Sequence, residues 1–314
     1  MKTQYLLPLL LLAACSQPIQ MDLGDEGGKL VVHGLLEADS VAEVILTESK
    51  SYYGWLEDDL SLLYQEDLSP VLRWEGGEET LKGSWGWKYT PQSFGAIDTS
   101  RVFRYRGTTP LESGNTYELV IEEEEQTIQG TTTIPGQPTI RRAIVEEQVE
   151  TFPDGGTFRQ EVVLVEFEDV RGEENTYGIS FQYSYWEYDY DYDFNTNTYS
   201  VVDSNYRTTY RRTQALLEET QDGSVEEISL PFGFFPYRFG VTEPDTFEFE
   251  VNIVLETYDR AYGTYLNSAF AQQAARFDPF SEPVLLNGNL EPALGIIGSA
   301  IHSDTISYIY EVVY

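Results

Sequence analysis

Apolar and polar residues alternate along most of the chain with the period of two that is typical of β-strands. In residues 116–121, Tyr117, Leu119 and Ile121 fall on one face, as a half-buried strand requires. Turn residues separate these runs at the short spacing of an antiparallel β protein. We predict strands of this kind at 30–36, 41–47, 71–75, 101–106, 116–121, 127–134, 140–147, 161–168, 247–255 and 306–314.

One segment has the helical period instead. Apolar residues recur at positions i, i+3, i+4 and i+7, which places one apolar stripe toward a core: Tyr258, Ala261, Tyr262, Tyr265, Leu266, Ala269 and Phe270. We predict one helix near residues 258–275, with Thr257 as its N-cap and Pro279 as the barrier to its continuation.

The pattern of residues 175–192 predicts a long strand in which the aromatic side chains move from one face to the other midway. Phe181, Tyr183 and Tyr185 share one parity, whereas the following aromatic residues have the other: Trp186, Tyr188, Tyr190 and Tyr192. A strand cannot move its apolar face by one residue without a bulge or a change of partner. We therefore expect an irregularity near Tyr185 and Trp186.

The turn-forming sequence Pro135-Gly136-Gln137-Pro138 predicts a boundary between two domains. We predict a mainly β protein with an immunoglobulin-like β-sandwich at 29–136. A second β-rich domain at 137–314 contains the one α-helix.

The first fourteen residues contain one lysine, an apolar stretch from Leu6 to Ala14, and small residues before the only cysteine, Cys15. This is the pattern of an export signal. It resembles the lipobox of bacterial lipoproteins, in which cleavage occurs before the cysteine and the thiol carries the lipid. We predict a signal peptide at 1–14, lipid attachment at Cys15, and a flexible tether at 15–28.

The charge restricts the possible partners. With 53 acidic and 19 basic residues, the net charge is −34. Such a surface repels phosphate backbones and anionic headgroups, so nucleic acid and direct membrane-surface binding are disfavoured. Acyl chains on Cys15 would hold the protein at a membrane without a basic surface.

The aromatic and acidic stretch of the long strand is a candidate binding region. Trp186, Tyr188, Tyr190 and Tyr192 would form a platform for a glycan, a peptide or a protein, because Tyr and Trp supply contact area at low entropic cost. Packing between strands is the alternative explanation of these tyrosines.

Alternate carboxylates in the same stretch, Asp189, Asp191 and Asp193, are candidate calcium ligands. An EF-hand loop is excluded, because Phe194 stands where its turn needs glycine and Ser200 where it needs glutamate. The alternative is a solvated acidic face.

Catalytic residue types are scarce. The chain has only two histidines, His33 and His302, and no cysteine besides Cys15, so triad chemistry and His/Cys zinc sites lack parts. We predict no cofactor and no enzymatic activity. A glycosidase needs only two carboxylates. A hydrolase therefore stays open, although no pair stands out among the acidic residues.

Several landmarks in fixed order, ending at Gly295, together resemble a family of Bacteroidota outer-membrane lipoproteins of unknown function. They are the lipobox at Cys15, KLVVHG at 29–34, GNTYEL at 114–119, TIP at 133–135, DPFSEP at 278–283, and NGN at 287–289.

This resemblance implies a β-sandwich followed by a β-rich domain, encoded beside TonB-dependent receptors. It implies a lipid-anchored accessory protein, exposed at the cell surface, that binds such a receptor or its substrate, and it supplies no catalytic residues. Surface-exported lipoproteins of this group often have acids soon after the cysteine, whereas here the first is Asp22. An extracellular polysaccharide hydrolase and a scaffold subunit of an outer-membrane assembly or secretion complex are the alternative functions.

Overall fold

The computed structural model describes residues 28–49, 64–91, 97–123, 126–151, 156–193, 198–212, 222–231, 246–275 and 286–313. These ranges form sixteen β-strands and one helix, so the protein is mainly β, as predicted. The first eight strands are β1 (Leu30–Glu37), β2 (Val41–Glu48), β3 (Val71–Trp74), β4 (Gly77–Thr80), β5 (Lys82–Pro91), β6 (Ile97–Pro110), β7 (Thr116–Glu123) and β8 (Gln126–Thr133). The others are β9 (Thr139–Thr151), β10 (Thr157–Glu168), β11 (Asn175–Asp193), β12 (Thr198–Arg212), β13 (Val225–Pro231), β14 (Thr246–Asp259), helix α1 (Arg260–Ala275), β15 (Leu294–His302) and β16 (Ile306–Val313).

Three sheets organise these strands. The largest has nine strands in the order β12-β11-β14-β15-β1-β2-β6-β5, with β16 also paired to β14. A four-stranded sheet runs β4-β3-β7-β8, and a three-stranded sheet runs β13-β10-β9. The described strands pair antiparallel except β1 and β15, which run parallel.

The four-stranded sheet packs against the β1-β2-β6-β5 part of the large sheet. Alternation in β1 buries Leu30, Val32 and Leu36 in this core, and Leu119 and Ile121 of β7 meet them from the other sheet. Each such side chain contributes about 1.5–3 kcal/mol by leaving water. The predicted buried face of residues 116–121 is therefore confirmed, and the two sheets form a sandwich.

A second core lies under the three-stranded sheet. Val163, Val165 and Phe167 of β10 pack there with Ile179 of β11 and Ile253 of β14. Alternate residues of β14 are buried from Phe249 to Leu255, so the large sheet presents one apolar face to β10. In β10 itself, residues 162–165 are all buried.

Helix α1 occupies the predicted segment and packs against β15 through Tyr262, beside the buried Ile296 and Ala300. Its predicted N-cap was wrong. Thr257 is fully buried inside β14, and the cap is Asp259, whose Oδ1 accepts a hydrogen bond from the Tyr262 amide at 2.8 Å. Both residue types cap helices, and tertiary packing decides between them.

The large sheet crosses the predicted division of the chain. Residues 135–138 lie between β8 and β9, yet β15 from the later part pairs with β1 from the earlier part. Gly295 permits this junction: its φ is +100°, and a Cβ there would lie 1.9 Å from the carbonyl oxygen of Val32. The two-domain division stays a prediction, and the two cores are joined by one sheet.

The long strand loses one of its two partners near the predicted position and keeps the other. The pairing of β11 with β14 ends at Ser184, and after that residue β11 continues in register with β12. A register shift follows between Asp189 and Tyr190. The change of aromatic parity at Tyr185 and Trp186 thus coincides with the end of the β14 pairing.

Candidate functional site

The predicted aromatic platform lies on the hairpin of β11 and β12. Trp186 pairs with Tyr206, and Tyr192 pairs with Tyr199, near the end of the hairpin. The side chains of the predicted platform and calcium residues lie outside the described part: Trp186, Tyr188, Tyr190, Tyr192, Asp189, Asp191 and Asp193. Both roles stay predictions. The backbone shows that this segment extends the hairpin past the last β14 pair.

The attachment residue Cys15 also lies outside the described residues, so lipid attachment stays a prediction. Backbone hydrogen bonds hold the first described residues in place. The Gly28 amide donates to the carbonyl of Ser49 at 2.9 Å, and the Ser49 amide donates to the carbonyl of Lys29 at 2.8 Å. The first described residues are thus held at the end of the β1–β2 pair.

The two histidines occupy different surroundings. His33 packs on helix α1, with its ring 6.3 Å from the ring of Tyr265 in an edge-on contact. Burial lowers the pKa of His33 below its ordinary value, and the charge of Lys88 lowers it further. His302 is 42% exposed and lies 3.9 Å from Glu37. In the described ranges, no group of three or more His, Cys, Asp or Glu side chains is arranged to hold a metal ion.

The lowered pKa of His33 predicts a specific loss of stability in acid. Above about pH 6.5 the imidazole is neutral in both the folded and the unfolded chain. Below about pH 6.5, His33 takes up a proton in the unfolded chain but stays neutral in the folded chain until the pH is lower, so the free energy of unfolding falls. We expect His33→Gln to flatten this fall in urea titrations between pH 7.5 and 5.5. His302→Gln, which replaces the other histidine, is the control variant; equal slopes for wild type and His33→Gln would contradict the assignment.

An acidic cleft of about 130 Å³ opens beside the four-stranded sheet. Trp74 and Tyr117 form its aromatic side, with their ring centroids 6.1 Å apart. Three carboxylates line it: Glu75, Glu79 and Glu112.

Glu79 is held as an anion in this cleft. Burial alone would raise its pKa, but Thr108 donates to its Oε1 through both the amide and the hydroxyl at 2.6 Å, and the Thr109 amide donates to Oε2 at 3.1 Å. These bonds outweigh burial and lower the pKa of Glu79. An ionised carboxylate beside aromatic rings suits a cationic group more than it suits proton donation.

A buried acid joins β10 to β11. Asp169 accepts a hydrogen bond from the Tyr177 hydroxyl at 2.6 Å and another from the Gly223 amide at 3.2 Å. Burial and the Asp169 carboxylate raise the pKa of Tyr177, so its phenol stays protonated as the donor. This arrangement stabilises the fold, because both partners are satisfied and enclosed.

The sequence did not predict an aromatic cluster around Trp85 of β5, the end strand of the large sheet. The Trp85 ring lies 5.3 Å from the ring of Tyr64 and 5.5 Å from that of Phe103, and the Arg101 guanidinium is 4.9 Å from its centroid. Trp87, two residues further on, is 57% exposed. The available signal was the repeat Trp-Gly-Trp between two lysines.

Over the described ranges, these features define a β-sheet protein with one helix packed on the large sheet. Its polar clusters there stabilise the fold or present charged and aromatic surface. The chain belongs to the family described as Domain of unknown function (DUF4249), whose family model matches residues 16–305. No curated protein shows a significant match. No helix in the part that the structure describes is long and apolar enough to cross a membrane.

Proposed function

We propose that this protein is a lipid-anchored accessory protein of a bacterial outer membrane that binds a TonB-dependent transporter or its substrate. The observation that carries the proposal is the position of Cys15, directly after an apolar run and shortly before Leu30, the first residue of β1. The family match starts at residue 16, immediately after this cysteine. An anchor followed by a short segment and a folded body is the plan of a tethered binding protein.

The described surface supports binding without catalysis. The acidic cleft combines Trp74 and Tyr117 with an anionic Glu79, which favours recognition of a cationic group. The hairpin of β11 and β12 extends past its β14 pairing and has an aromatic and acidic sequence suited to a protein interface. The landmark resemblance to Bacteroidota lipoproteins supports a TonB-dependent receptor as the partner.

The anchor is tested by replacing the attachment residue. We expect mass spectrometry of the wild-type protein to show an N-terminal Cys15 that carries acyl chains. We expect Cys15→Ala to leave the membrane fraction, with at least a tenfold loss of membrane-bound protein, because several acyl chains anchor stably. Ser16→Ala is the matched control and should stay membrane-bound. An unacylated wild-type N-terminus would contradict the anchor.

The partner is tested by purification from detergent-solubilised outer membranes. We expect a large TonB-dependent barrel to be recovered with the wild-type protein. Variants that shorten the hairpin between Tyr188 and Val201 should lose it, while Trp74→Ala tests the acidic cleft separately. Recovery of an assembly or secretion complex would contradict the transporter assignment. Cleavage of glycans without recovery of a barrel would favour a hydrolase.

A further inference from the structure

The net charge changes from negative to positive on β6 and β5, the two strands at one end of the large sheet. We call residues 82–91 of β5 and 97–106 of β6 the basic ribbon. It contains five basic residues and one acid, Asp98, in a chain with 53 acids and 19 bases. The basic residues are Lys82, Lys88, Arg101, Arg104 and Arg106. Such segregation makes this end of the large sheet locally positive.

Three of these five charges face solvent without a neutralising acid in the described ranges. Arg104 and Arg106 share Glu43, at 3.1 Å and 3.4 Å. Lys82, Lys88 and Arg101 are exposed, and none of them lies within ion-pair distance of a carboxylate in the part of the chain that the structure describes. On the aromatic side, Glu66 accepts a hydrogen bond from the Trp85 indole at 3.2 Å.

The ribbon also presents an amphipathic aromatic side chain at the same edge. Trp87 is 57% exposed, and β5 has only β6 as a neighbour among the described strands. Alternation along β5 puts Trp87 on one face and both lysines on the other. A surface that approaches this edge would therefore meet Trp87 and Arg101 on one side and Lys82 and Lys88 on the other.

We propose that the basic ribbon docks edge-on against an anionic lipid surface and so sets the orientation of the anchored body. Exposed indole and basic side chains are the groups that settle at a lipid headgroup layer. The occupant is an anionic lipid layer because the ribbon lies along the end of the sheet, with positive charges on both faces. Contact at this edge points the acidic remainder away from the lipid.

The docking rests on the proposed function in one respect: the anchor keeps the ribbon close to lipid. Residues 15–28 reach at most about 50 Å when extended, so the ribbon searches a small volume at high effective concentration. The net charge of −34 does not prevent this contact. At physiological salt, charges more than about 8 Å apart in solvent are largely screened.

The test uses the mature chain from residue 15 with Cys15→Ala, which keeps every described residue and removes acylation. Binding is measured by flotation with vesicles of phosphatidylcholine alone and of phosphatidylcholine with phosphatidylglycerol at 7:3, our chosen ratio. We expect binding to the anionic vesicles only, weakened by raised salt. At about 1 kcal/mol per lysine near the surface, the pair Lys82→Gln and Lys88→Gln should weaken it by roughly 30-fold. Trp87→Ser should weaken it as well.

The matched control is the pair Arg141→Gln and Arg142→Gln on β9, which removes the same charge from exposed positions elsewhere. Circular dichroism melts confirm that each variant is folded. The proposal is overturned if the control pair weakens binding equally, if neutral vesicles bind as well, or if millimolar inorganic phosphate abolishes binding. Because acylation is absent throughout, failure of the anchor leaves this result unaffected, and failure of docking leaves the anchor intact.

Discussion

Asp259→Ala is expected to destabilise the protein by about 4 kcal/mol, from loss of a helix cap and of several charge-assisted hydrogen bonds. One oxygen of Asp259 caps helix α1 at Tyr262. The other accepts from the Thr132 hydroxyl at 2.6 Å, from the Ser299 hydroxyl at 3.0 Å, and from the Ser299 amide. Thr132 lies on β8 and Ser299 on β15, so one carboxylate joins both sheets of the sandwich to the helix.

The burial of these partners explains the size of the effect. Thr132 is 5% exposed and Ser299 is fully buried, so water cannot replace the lost acceptor. Asp259→Asn should cost less, since its amide oxygen still accepts at one side. Asp304→Ala removes an exposed acid as the control and should change stability by under about 0.5 kcal/mol. Urea denaturation measures all three. A loss below about 1 kcal/mol for Asp259→Ala would show that the junction tolerates an unpaired donor.

Gly295→Ala is expected to cost about 4 kcal/mol or to prevent folding, through backbone strain and a clash together. The residue has φ of +100°, and its added Cβ would meet the carbonyl oxygen of Val32 at 1.9 Å. This oxygen belongs to β1, the parallel partner of β15, so the strands must separate to admit a methyl group. The contact is with backbone, which cannot rotate away.

Gly114→Ala separates the cost of backbone strain from the cost of the steric clash. Gly114 also has a positive φ, +81°, but a Cβ there would meet no atom within 4 Å. Its replacement should cost only the strain, about 1–2 kcal/mol. Equal losses for the two variants, measured by thermal melting and urea denaturation, would mean that the close approach of β15 to β1 contributes nothing.

Regular alternation made much of the fold predictable. Strands such as β1 and β2 bury every second residue, so their sequence predicts both the strand and its buried face. β15 was missed because Leu294–His302 is a nearly continuous apolar run with two glycines, buried on both faces between β14 and β1. Such a run has no period from which to identify a strand. The helix was predicted, and its cap depended on contacts with β8 and β15.

The candidate site was less predictable because its parts are distant in sequence. The acidic cleft combines Trp74 and Glu79 with Glu112 and Tyr117, and only the pairing of β3 with β7 brings them together. The basic ribbon was hidden by the net charge of the whole chain, which averages over a local reversal. Sequence alone favoured the hairpin after Tyr185 because its aromatic residues lie at alternate positions of one strand.

The parallel pair of β1 and β15 also fixes the order in which the protein becomes native. It joins residue 31 to residue 294, so β1 has only β2 as a neighbour until almost the whole polypeptide has been synthesised. Contacts that close so long a loop form late and slowly. The large sheet, which joins the two cores, can therefore be completed only after β15 has been synthesised.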